Sequence, residues 1–85
     1  MNIQFTDSAL KHGLSEKDIR QAMNTCFKTK PVRSKSGERA YMALGILDDK
    51  VCELMFNVNP FNGYRVFHAM IPARPSFIKE IERKG

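Results

Sequence analysis

Eighty-five residues are enough for one domain, expected to span 1–85, and too few for most cofactor enzymes. Fourteen Lys and Arg against nine Asp and Glu give a formal net charge of +5 and a sequence pI near 9.5, a balance that suits nucleic acid, an acidic protein partner, or simple solubility. Cys26 and Cys52 lie outside any CxxC or Cys/His ligand spacing, so neither a disulfide framework nor a metal cluster supports the thin core of so short a chain.

Two free thiols suit a reducing compartment, and a cytoplasmic protein is expected. Both cysteines read as small apolar residues, with a Cys26–Cys52 bridge as the alternative. The opening Met1-Asn2-Ile3-Gln4-Phe5 has no apolar h-region. No apolar run approaches the roughly 20 residues needed to cross a bilayer, so no membrane partner is expected.

In chain order, Ile3 and Phe5 point to one side of an extended segment that could add an edge strand. Thr6 or Asp7 caps a short helix that ends at Gly13, with Lys11 and His12 in its last turn. The second helix has Ser15 as N-cap, Glu16 and Asp18 in its first turn, and Leu14 placed to staple onto Ile19. Its apolar stripe is Ile19, Ala22, Met23, Cys26 and Phe27, at helical spacing. Pro31 is expected to stop it. The stretch 28–39 carries five Lys or Arg and one Glu, and reads as an exposed basic loop.

Three strands follow. The first, 40–47, is nearly all apolar and suits a central position. Asp48-Asp49-Lys50 turns into the second, 51–58. Asn59-Pro60-Phe61-Asn62-Gly63 turns into the third, 64–71. Pro72 ends the sheet, and Pro75 opens a short helix with Phe77, Ile78 and Ile81 as its stripe. The expectation is an α+β fold: N-terminal helices packed on a small antiparallel β-meander, a short C-terminal helix, and all helices on one face.

No nucleophile elbow or glycine-rich phosphate loop is present, so no cofactor is expected. Asp48 and Asp49 read as turn formers rather than metal ligands. What remains is Arg, Lys and His chemistry, which suits cleavage of an RNA phosphodiester. That reaction needs a base for the 2′-hydroxyl, cations for the phosphorane charge, and an acid for the leaving oxygen. The densest cluster is Tyr64, Arg65, His68 and Arg74. His68 is either a proton-transfer group or a half-buried histidine satisfied by its neighbours. Strict alternation puts Arg65 and His68 on opposite faces unless a bulge intervenes. Arg74, beside a helix start, is well placed for an anion. Lys11 and His12 either bind phosphate or complement the helix dipole. Tyr41 and Tyr64 either stack on bases or pack in the sheet. Lys30, Arg33, Lys35 and Arg39 either grip phosphates or form a solvated basic loop.

The opening Phe5-Thr6-Asp7-Ser8-Ala9-Leu10-Lys11-His12-Gly13-Leu14-Ser15 resembles that of BrnT-like toxins of bacterial toxin–antitoxin pairs. The amphipathic helix after it, the strand beginning at Arg39, and the ending from Arg65 to Arg74 are similar in place. The resemblance implies a RelE/ParE-like fold and a metal-independent ribonuclease toxin that inhibits translation by cutting RNA, including ribosome-bound mRNA, and is neutralised by a cognate antitoxin. It carries Lys11, His12, Arg39, Arg65 and Arg74 over as site residues. The sequence departs from the pattern in the last strand, where Met70 stands in place of an arginine and His68 is added. Two rivals remain open: a non-catalytic module of the same fold that binds nucleic acid or inhibits a protein such as a gyrase, and an interaction protein whose sheet edge accepts an acidic helix or strand.

Overall fold

The computed structural model describes residues 2–33, 39–59, 61 and 63–83. Ile3–Phe5 forms β1. Thr6 leads into α1, Asp7–Leu10, and its side chain accepts from the Ala9 amide. Gly13 follows at φ 86°, a left-handed conformation that favours glycine. Ser15 then caps α2, Glu16–Asn24. Ser15 Oγ accepts from Asp18 N (3.1 Å) and Asp18 Oδ2 accepts from Ser15 N (3.0 Å), a complete capping box. Leu14 and Ile19 are both buried beside it, as a staple requires.

α2 is shorter than its apolar stripe predicts. Thr25 ends it, because its hydroxyl is recruited by the strand Arg39–Leu47, β3: Thr25 Oγ1 accepts from Ile46 N at 2.9 Å and lies 2.9 Å from Ile46 O. The helix is therefore over well before Pro31. Phe27, expected in the stripe, is 58% exposed and stands just before a new strand instead, donating its amide to Leu44 O. Lys28–Val32 is that strand, β2, where a loop was expected. It has one hydrogen-bonded neighbour, β3, so Pro31 sits on an edge strand, a place that tolerates its missing N–H.

β3 (Arg39–Leu47), β4 (Lys50–Asn59) and β5 (Gly63–Met70) form the expected meander. Asp48 (φ 51°) and Asp49 (φ 62°) supply the two left-handed positions of the β3–β4 turn, closed by the Leu47–Lys50 pair. The sheet order is β1-β5-β4-β3-β2. β1 runs parallel to β5 while every other pair is antiparallel, so the five-stranded sheet is mixed rather than wholly antiparallel.

The last helix, α3, spans Pro75–Glu82 with Pro at its first turn. It does not join the other helices. Ile19, Ala22, Leu54, Phe56, Val66 and Ala69 belong to one buried cluster with α1 and α2. Met42, Leu44, Phe77 and Ile81 form a second cluster on the opposite face, under α3. Alternation along β3 and β4 feeds both, which is why their apolar runs are continuous. Gly45 lets α2 approach closely, since a Cβ there would lie 2.1 Å from Ala22 O. Among the described residues, no helix is long and apolar enough to cross a membrane.

Candidate functional site

β4 is the middle strand, and Glu53 stands in it with 0% exposure. Its neighbours Cys52 and Leu54 point to the α1/α2 side, so alternation turns Glu53 toward α3. A carboxylate left unpaired there would carry a large desolvation penalty. Four donors meet it. Oε1 accepts from the Arg74 backbone amide (2.8 Å) and from Arg74 Nε (3.1 Å). Oε2 accepts from Arg74 Nη2 (2.8 Å) and lies 2.6 Å from His68 Nε2. Burial alone pushes the Glu53 pKa up, but the Arg74 side-chain and backbone bonds and the His68 bond outweigh it and hold the group below its ordinary value. In turn the Glu53 carboxylate raises the Arg74 pKa.

Each partner arrives from a different element. His68 is on β5, opposite Met55. Arg74 is the N-cap of α3, placed by the segment after β5 in which Ala73 N donates to Val51 O (2.7 Å) and the Ile71–Pro72 peptide is cis. His12 comes from the turn after α1, and its ring stands edge-to-face with His68 at 5.5 Å between centroids. Phe77 of α3 lies 6.4 Å from the His68 ring. His68, His12, Arg74 and the unforeseen Glu53 therefore form one cluster.

A bulge also decides where Arg65 goes. Phe56 pairs with Val66 but Met55 pairs with His68, leaving Phe67 as the extra residue. Arg65 opposes Asn57, two residues along β4 from Met55, so Arg65 and His68 share a face, contrary to strict alternation. Val66 and Ala69 then both point to the α1/α2 core.

Other expected site residues separate from this cluster. Tyr64 packs edge-to-face on Phe56, and Tyr41 stacks on the same ring, both half-buried on the α1/α2 side and so across the sheet from His68. Arg39 opposes Val58, whose side chain joins that same core, so it lies across the sheet from His68. Lys30 is neither in a loop nor free: its Nζ donates to Glu80 O (2.8 Å) and pairs with Glu80 Oε1 (3.6 Å), tying β2 to α3. Arg33 is exposed just beyond β2, and Lys11 is exposed beside His12. Lys35 lies outside the described residues. Arg74 departs from a simple phosphate clamp, because the anion at its helix start is Glu53 itself.

Glu53 is the residue that sequence reasoning missed. Its signal was a single charge inside the apolar run Val51-Cys52-Glu53-Leu54-Met55-Phe56, at an interior position of a central strand.

Chemically, the cluster offers an imidazole backed by a carboxylate, a second imidazole beside it, and a guanidinium whose side chain remains 55% exposed. Arg74 keeps Nη1 and one Nη2 hydrogen for another acceptor. Neither thiol adds a nucleophile: both are free, and burial pushes the Cys52 pKa up to about 11. Among the described residues, no group of three or more His, Cys, Asp or Glu is placed to hold a metal ion. The class defined is a small α+β domain with a five-strand mixed sheet, helices on both faces and a buried carboxylate under the last helix. Comparison with protein-family models, curated proteins and solved structures found no match.

Proposed function

We propose that this protein is a metal-independent endoribonuclease, the toxin of a cytoplasmic toxin–antitoxin pair, with the RelE/ParE-like fold and BrnT-like character that its sequence resembles. The observation that carries the reading is the convergence of His68, His12 and Arg74 on one spot, with Arg65 on the same sheet face. In this mechanism His68 takes the proton of an RNA 2′-hydroxyl. The 2′-oxygen bonds to phosphorus, the bond to the 5′-oxygen breaks, and protonated His12 delivers a proton to that leaving oxygen. The products are a 2′,3′-cyclic phosphate and a 5′-hydroxyl end. The remaining Arg74 donors, with Arg65 and Lys11, oppose the growing phosphorane charge.

Purified protein incubated with RNA, alone or on translating ribosomes, is expected to cut it. His12→Ala is the sharpest variant, because His12 is exposed and its loss should leave the fold intact; cutting should fall about 10²–10⁴-fold. RNA that survives the wild-type protein under both conditions ends the proposal.

A second reading draws on the occupancy of Glu53. Its carboxylate already engages both Arg74 and His68, so the cluster also serves to lock α3 onto the sheet, and the basic surface would then bind nucleic acid or an acidic protein without cutting. Intact RNA together with a salt-sensitive complex favours that reading.

A further inference from the structure

Glu53 has all four of its lone-pair directions aimed at donors, three from Arg74 and one toward His68. A carboxylate so engaged is an anion and only accepts. The 2.6 Å contact with His68 Nε2 therefore requires the imidazole to donate, so the ring proton sits on Nε2. In the neutral ring the lone pair is then on Nδ1, which has no hydrogen-bond partner among the described residues. His68 keeps 19% of its side-chain surface exposed, and the edge-to-face contact with His12 shows that the ring borders the open cluster rather than the closed core. We infer that Glu53 is a positioning residue that holds His68 as the Nε2–H tautomer and thereby makes Nδ1 the nitrogen that exchanges protons. The tautomer stands on the geometry alone; its consequence for RNA cleavage rests on the function proposed above.

The glutamine variant has a specific expected outcome. Two Arg74 donors converge on the Oε1 position, so in Glu53→Gln the amide oxygen takes that place. The amide nitrogen then occupies the Oε2 position and faces His68 Nε2. An NH2 group there donates, so Arg74 Nη2 loses its acceptor and turns its hydrogen to solvent, while Nε2 must accept and the ring proton moves to Nδ1. The substitution is nearly isosteric but inverts the tautomer, and a ring with Nδ1–H cannot take a proton there.

The experiment is 15N NMR of histidine-labelled protein without RNA, at a pH where the ring is neutral. His12→Ala leaves a single histidine and fixes the assignment. Wild-type protein is expected to show Nε2–H, and Glu53→Gln should show Nδ1–H with cleavage reduced about 10²-fold or more. A wild-type Nδ1–H form or an even mixture overturns the inference, and this spectrum decides even if the variant fails to fold. A folded Glu53→Gln protein that keeps Nε2–H, or that inverts the tautomer yet cuts RNA at the wild-type rate, overturns it too. If the tautomers behave as expected and the wild-type protein leaves RNA intact, the ribonuclease reading falls and the positioning role stands.

Discussion

The two faces of the sheet are built on different physics. The buried core of the α1/α2 face is apolar: Ile19, Ala22, Leu54, Val66 and Ala69 are all at 0% exposure, and nothing charged is buried among them. The α3 face holds a smaller apolar cluster and, beside it, the chain's one buried charged side chain among the described residues. Burial of apolar area is non-directional and indifferent to pH. A buried carboxylate is the reverse, since it is tolerable only when its donors are placed and its protonation state is kept. One face thus supplies most of the buried apolar area, and the other holds the polar groups that depend on placed partners.

The largest expected effect tests the apolar face. Leu54→Ala empties a fully buried position and should lower stability by about 2–5 kcal/mol, a large share of the roughly 5–15 kcal/mol typical of a domain. Urea unfolding at neutral and acid pH should give the same deficit. A deficit that changed with pH would break the comparison.

Arg74→Ala tests the other face. The folded pKa of Glu53 is lowered from its ordinary 4.5. Its stabilising contribution is thus present above that value and lost as pH falls through the folded pKa. Without the Arg74 side chain the carboxylate keeps its desolvation and loses two of its four donors, Nε and Nη2, while the backbone amide of residue 74 still donates. The variant should be markedly less stable near pH 7, and its gap to wild type should shrink below about pH 4.5. A gap constant with pH would mean that Glu53 is not held as an anion. The smallest effect belongs to Glu80→Gln, which removes the ion pairs with Lys30 and Arg83 while the Lys30 bond to the Glu80 carbonyl survives. The loss should be under about 1 kcal/mol and fade with added salt.

Much of the architecture was legible because it is local. The capping box at Ser15, the Asp48-Asp49 turn, the meander and the start of α3 at Pro75 each depend on residues a few positions apart. The errors were at places where a distant partner decides. Thr25 ends α2 early because β3 offers Ile46 as a partner. Lys28–Val32 carries loop-like composition yet becomes a strand because β3 has an open edge. α3 packs on the far side because Phe77 and Ile81 find Met42 and Leu44 there. In the site, His68 and Arg74 were nameable by residue type and neighbourhood, whereas Glu53 looked like one more scattered acid.

The sequence by itself determined where the helices start, the three-strand run, the basic surplus and the residue types fit for phosphate chemistry, because periodicity, turn propensity and charge are properties of short stretches. Only the tertiary structure decided that β1 joins the sheet in parallel, that a bulge at Phe67 brings Arg65 round to the face of His68, and that Glu53 meets His68 and Arg74. Those facts depend on which strands become neighbours and in what register, and register is settled by the packing of the whole chain.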